Sequence, residues 1–114
     1  MKSVRIAIGL ILAALLLVAA GPGFRTRALF EEHYQKHGRE FGKISPEEYL
    51  RLAQELRDAP IGGPILEARK AGGVFTKFDR RSGAFGAYNR NRTIRTFFKP
   101  NDGERYFHRQ AGRP

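Results

Sequence analysis

Cysteine and tryptophan are absent from this 114-residue chain, and methionine occurs once, at position 1. With no thiol, neither a disulfide framework nor a thiolate metal site can form, so the fold must stand on its packed core. Acidic residues are few beside basic ones: 11 Asp and Glu against 21 Lys and Arg give a formal charge of +10 and an isoelectric point near 10.7. An imbalance of that sign favours polyanionic partners, nucleic acid or an acidic membrane surface, without choosing between them. At this length there is room for one small domain. Aromatic residues, at 11%, are not scarce, so unlike a basic disordered tail the chain has material for a core or for stacking on bases.

Long apolar runs are confined to one stretch, Ile6 to Ala20, which follows Lys2 and Arg5 and ends in Val18-Ala19-Ala20 before Gly21-Pro22-Gly23. A basic start, about fifteen apolar residues and a small-residue exit describe a secretory signal peptide, whereas a membrane helix needs about 20 residues. Residues 1–23 therefore read as a hydrophobic leader helix, a cleaved signal first and a retained anchor second. Residues 24–114 read as a domain that is secreted or periplasmic, or single-pass membrane-anchored if the leader stays. Without Lys2 and Arg5 the remainder still sets 19 basic residues against 11 acidic ones.

From Phe24 to His37 the positions Phe30, Tyr34, His37 and Phe41 recur at helical spacing, and Gly38 offers a stop. Ser45 as N-cap, Pro46 in the first turn and Glu48 as capping-box partner open a second helix whose stripe is Tyr49, Leu52, Ala53 and Leu56. Gly and Pro break the pattern between Asp58 and Pro64. Four short runs follow, Ile65 to Arg69, Val74 to Phe78, Ala84 to Tyr88 and Thr93 to Phe98, each separated by turn residues, which predicts an antiparallel meander. Arg105-Tyr106-Phe107-His108 would add an edge strand. The expected architecture is α+β, a helical hairpin packed on one face of an antiparallel sheet of four to five strands.

The stretch Asn91 to Lys99 is unusual for a core strand because it mixes aromatic and β-branched residues with two guanidiniums, hydroxyls and an ammonium. Strict alternation puts Thr93, Arg95, Phe97 and Lys99 on one face and Ile94, Thr96 and Phe98 on the other. Metal-free RNA cleavage needs a base for the 2′-hydroxyl proton, an acid for the leaving 5′-oxygen and cations for the phosphate. His33, Lys36, His37, Arg95, Thr96 and Lys99 contain that inventory. His33 and His37, four apart, share a helix side, but zinc would need a third ligand, and the segment His-Tyr-Gln-Lys-His lacks the Glu of a metalloprotease helix. A buried, hydrogen-bonded structural role accounts for His37 as well as catalysis does. A solvated face in a basic protein equally accounts for the strand.

Taken in order, His33-Tyr34-Gln35-Lys36-His37-Gly38-Arg39-Glu40-Phe41-Gly42, Glu48-Tyr49-Leu50 with Ala53, Phe78-Asp79-Arg80-Arg81-Ser82-Gly83-Ala84-Phe85-Gly86, and Ile94-Arg95-Thr96-Phe97-Phe98-Lys99-Pro100 with Tyr106-Phe107 resemble the C-terminal ribonuclease toxin domains of contact-dependent growth inhibition and related polymorphic toxin proteins, in the barnase, EndoU, colicin and RelE-like group. The resemblance covers about residues 30 to 107. It implies a metal-independent RNase without cofactor, built of helices followed by a twisted antiparallel sheet, some of whose relatives cut tRNA. His33, Lys36 and His37 match the helix motif; Arg95, Thr96 and Lys99 match the strand motif. His37 would serve as base or acid, Arg95 and Lys99 would hold the phosphate, and Thr96 would position it. Arg92, just ahead of the strand, is assigned with Lys99 to phosphate binding. Relatives often carry Tyr where this chain has Phe97.

The leading expectation is an exported, monomeric endoribonuclease, an antibacterial toxin with RNA as substrate and an acidic immunity protein as partner. A non-catalytic basic module that binds RNA or another polyanion is the alternative, and a membrane-tethered form is the third reading.

Overall fold

Thr26 and Ser45 start the two N-terminal helices in the same way. Each has an extended backbone, and its hydroxyl accepts from the backbone N–H three residues on, Leu29 and Glu48 respectively. That satisfies one of the unpaired donors at each helix start. The computed structural model describes residues 21–113, in which helix α1 spans Arg27–His37 and α2 spans Pro46–Asp58. Residues 1–20, where the leader is expected, lie outside the described residues. Among the described residues, no helix is long and apolar enough to cross a membrane.

The first α-helix ends at His37 with Gly38 as its C-cap, as the sequence predicts. The chain tightens into a 3-10 turn over Gly38–Phe41 and leaves the helical region at Gly42, whose φ of 92° suits glycine. A side chain at Gly38 would collide with the Tyr34 ring, which packs there while its hydroxyl donates to the Ile44 carbonyl at 2.6 Å.

The second half forms one four-stranded antiparallel sheet of order β1-β2-β3-β4, with β1 at Ile65–Arg69, β2 at Phe75–Asp79, β3 at Phe85–Tyr88 and β4 at Ile94–Phe98. The expected fifth strand is instead a helix, α3, Glu104–Ala111. Pro100 and a turn ending in Gly103, at φ 57°, redirect the chain away from the sheet edge. From there Phe107 is buried among Phe78 and Phe85, while Glu104 and His108 meet one turn apart. A helix satisfies that pattern, and the adjacent Tyr106-Phe107 pair conceals it.

The two sheet faces differ. On one, Tyr49, Ala53 and Leu56 of α2 pack against Phe75, Ala84, Tyr88, Ile94 and Phe97, with Phe24, Phe30, Tyr34 and Phe41 closing the flank. Tyr49 donates to the Phe97 carbonyl and Tyr88 to the Ala53 carbonyl at 2.8 Å, so helix and sheet hold each other by two buried phenols. The Tyr88 ring lies over Gly86, where a Cβ would overlap its hydroxyl. On the other face, the cross-strand row Leu66, Phe78, Phe85 and Phe98 is covered by Phe107 and Tyr106 of α3.

Residues 21–24 run against α2 and the sheet. The carbonyls of Gly21 and Pro22 accept from Gln54, that of Gly23 accepts from the Ile94 N–H at 2.9 Å, and Phe24 bridges Ile94. This short strap covers the start of β4, the edge strand.

Glu104 ties α3 to the β2–β3 turn. Its carboxylate accepts from Arg80 at 2.7 and 3.1 Å and contacts His108 Nε2 at 3.0 Å. The Arg80 hydrogen bonds first, then His108, hold the Glu104 carboxyl down to about 2. Because the folded value is depressed, this tie adds stability that is present above the ordinary glutamate range and lost as pH falls through about 2. The pair is exposed and its contribution small. In thermal melts, the midpoint of the wild type should fall more steeply than that of Glu104→Gln as pH is lowered from 4.5 toward about 2. Parallel slopes would mean that the tie does not act.

Candidate functional site

Strand β4 departs from strict alternation. Tyr88 pairs with Ile94 and Ala87 with Thr96, so Arg95 is the extra residue of a bulge. Ile94 and Phe97 consequently both join the helix-side core, whereas Arg95 is exposed and lines the same concavity as Thr96. The expected grouping of Arg95 with Phe97 and Lys99 is therefore split. Lys99 lies on the helix side, its ammonium 5.1 Å from the Phe41 ring centre, in a separate cavity between α2 and the sheet. Phe97 is 1% exposed, a core residue.

On the α3 side of the sheet, two cross-strand rows lie next to each other. The large row beneath α3 is followed by Ala68, Thr76, Ala87 and Thr96, all small and in register. Small side chains beside a bulky row leave a groove across the sheet. It encloses about 420 Å³ and is lined by Lys70, Thr76, Arg95, Thr96, Tyr106 and Gln110. Thr76 is 3% exposed, and its Oγ1 has no hydrogen-bond partner. A buried hydroxyl left in that state is disfavoured by about 1–3 kcal/mol, which marks it as a group with a potential contact in the groove.

Phe98 links this groove to the first helix. Its ring centre is 5.7 Å from Phe85 and 5.3 Å from Tyr106, both of which line the groove, and 5.1 Å from the imidazole of His37. His37 Nδ1 lies 2.7 Å from Glu40 Oε2, and the other oxygen of Glu40 accepts the backbone N–H of Lys99 at 2.7 Å. One carboxylate thus joins the end of α1 to the end of β4. With Glu40 ionised, Nδ1 carries the proton and Nε2 is left for proton exchange. His33 stands 6.2 Å from His37 between ring centres, its Nδ1 2.8 Å from the Leu29 carbonyl and its ring 4.9 Å from Phe24. The same tautomer follows for His33.

The residues singled out in the sequence are thus partly assembled. His33 and His37 share the side of α1 nearest β4, Arg95 and Thr96 share the groove, and the Phe98 ring packs against both His37 and the groove-lining Phe85 and Tyr106. Lys36 is exposed on α1. Arg92 is elsewhere: in the β3–β4 turn its guanidinium pairs with Asp58, facing a cavity on the helix side. Glu40, Thr76 and Phe98 are not among the site residues expected from the sequence. A His followed three residues later by Glu was a visible signal for the first, whereas nothing local marks Thr76. Among the described residues, no three metal-ligating side chains converge. Compared with known proteins, the chain matches no family model and no curated sequence.

Thr76→Val separates the groove from the scaffold. Replacing an unpartnered buried hydroxyl with a methyl of similar shape should leave stability unchanged or raise it by about 1 kcal/mol in urea unfolding. A loss of stability would show that Oγ1 already has a partner within the fold.

Proposed function

We propose that the protein is an exported metal-independent endoribonuclease whose reaction runs at the seam between α1 and β4. The observation that carries this reading is the Glu40 carboxylate shared between His37 Nδ1 and the Lys99 N–H, beside the Phe98 ring that borders the groove of Arg95 and Thr96. A carboxylate that orients an imidazole and stabilises its cationic form is the arrangement a general base needs.

In the proposed reaction, His37 Nε2 takes the proton of a ribose 2′-hydroxyl, and the 2′-oxygen attacks the adjacent phosphorus. The bond to the 5′-oxygen breaks, leaving a 2′,3′-cyclic phosphate on one fragment and a 5′-hydroxyl on the other. His33, the second imidazole on the same helix side, supplies the proton to the departing oxygen. The Arg95 guanidinium offsets charge on the non-bridging oxygens, and the Thr96 hydroxyl donates to one of them. Lys36 attracts the RNA backbone from the exposed side of α1. Lys99 acts through its backbone, as an anchor for Glu40. Arg92 has no part in this scheme. Bases flanking the scissile bond find aromatic surface on Phe98 and Tyr106. Action as an antibacterial toxin restrained by a small acidic immunity protein belongs to the same proposal and rests on the sequence resemblance.

The test is incubation of the purified protein with total RNA in EDTA. Discrete products ending in cyclic phosphate are expected, with His37→Ala slowing cleavage by about 10²- to 10⁴-fold while RNA retention on filters is nearly unchanged. Glu40→Gln should slow cleavage by less than His37→Ala. Cleavage by His37→Ala at the wild-type rate would remove the assignment and leave a non-catalytic basic RNA-binding module.

A further inference from the structure

The helix side of the sheet holds a second concavity, and its walls carry buried charge. About 550 Å³ in volume, within the range of small-molecule sites, it lies between the end of α2, strands β1 and β2, and the β3–β4 turn. Two ion triads face it. Asp58 is held between Arg57, at 2.9 Å, and Arg92. Glu67 is held between Arg69, at 3.0 Å, and Lys77, at 3.8 Å. Each triad has two cations and one carboxylate, so the cavity walls carry a surplus of two positive charges.

Arg69 and Arg92 are half exposed or more, whereas the other two cations are buried. The Arg57 and Lys77 side chains are 1% and 4% exposed, and Glu67 is 8% exposed. Buried ion pairs recover their desolvation only in part, and apolar residues of similar volume would often serve stability as well or better. Burial pushes the Lys77 ammonium below the ordinary lysine range, against the opposing pull of Glu67 and Asp58. Arg92 adds a conformational demand. It is the non-glycine residue at positive φ among the described residues, at 74°, and in that turn its carbonyl accepts from Arg57 at 3.2 Å while its guanidinium reaches Asp58. A ligand of charge −2 would balance the surplus.

From these features we infer that the cavity binds a phosphomonoester dianion, met by the exposed guanidiniums of Arg69 and Arg92, while Arg57 and Lys77, whose N–H groups serve Asp58 and the Pro22, Arg92 and Ala59 carbonyls, add their charge from behind. The apolar part of such a ligand has surface at hand in Ile61, which is 64% exposed on the rim. Phe75 and Lys77 alternate with Thr76 along β2, so this site and the groove occupy opposite faces of the sheet. The inference therefore stands apart from the ribonuclease reading.

Isothermal titration with inorganic phosphate, a nucleoside 5′-monophosphate and the parent nucleoside tests it on the purified protein. Saturable one-to-one binding of the phosphate-bearing ligands is expected, with none for the nucleoside. Binding should strengthen as pH rises through about 6, where the phosphate becomes a dianion. Tighter binding of the mononucleotide would identify an organic phosphate as the ligand, and equal binding would identify free phosphate. Arg69→Gln, at a side chain 66% exposed and so compatible with folding, should weaken binding about tenfold or more. Absence of saturable binding by both phosphates, or binding indifferent to Arg69→Gln, would overturn the site.

Discussion

The structure depends on two phenols that cross the same interface in opposite directions. Tyr49 reaches from α2 to the carbonyl of Phe97, and Tyr88 reaches from β3 to the carbonyl of Ala53. Both side chains are fully buried, and burial pushes both phenols above the ordinary tyrosine range. They therefore stay donors, and each adds a hydrogen bond from one layer to a backbone carbonyl of the other. A helix held at two points on one strand pair cannot rotate about its axis or slide along the sheet. Every later juxtaposition inherits that geometry.

Strand β4 then serves two layers at once, and the bulge at Arg95 makes this possible. Ile94 and Phe97 complete the core beneath α2, while Thr96 and Phe98 contribute to the opposite face. An unbulged strand could not put Ile94 and Phe97 on one side, because residues three apart point opposite ways. The displaced residue is a guanidinium, exposed at the rim of the groove. The same irregularity that closes the core thus supplies the cation of the proposed site. Glu40 completes the join from the other direction, since the 3-10 turn after α1 carries its carboxylate to the end of β4.

Basic residues outnumber acidic ones, and the carboxylates that matter are each shared. Glu40 serves an imidazole and an amide, Asp58 and Glu67 each serve two cations, and Glu104 serves Arg80 and His108. Sharing leaves positive charge over in places the fold chooses. One surplus stands at the groove, through Lys70 and Arg95; the other lies behind the sheet, around Lys77. Net charge, which says only that polyanions are welcome, cannot distinguish a surface steering field from a partly buried clamp.

Local chemistry was legible wherever a few adjacent residues decide the outcome. Ser45 and Pro46 announce the start of α2, the Gly, Asn and Asp clusters announce the turns of a four-stranded meander, and the spacing of Tyr49, Ala53 and Leu56 announces the buried face. Those signals rest on capping, backbone preference and period, which operate over a turn or two of chain. What lay beyond that range was settled by packing. Tyr106-Phe107 reads as a strand until Phe107 is placed under the sheet and Glu104 opposite Arg80; Arg95 reads as a partner of Lys99 until the bulge parts them. Thr76 is an ordinary strand threonine until its neighbours prove to be alanines. The amino-acid order by itself determined the first two described helices, the four strands, their succession and the sign of the charge. Only the tertiary structure decided which side chains face one another, because register and long-range hydrogen bonds join residues dozens of positions apart, such as Glu40 and Lys99.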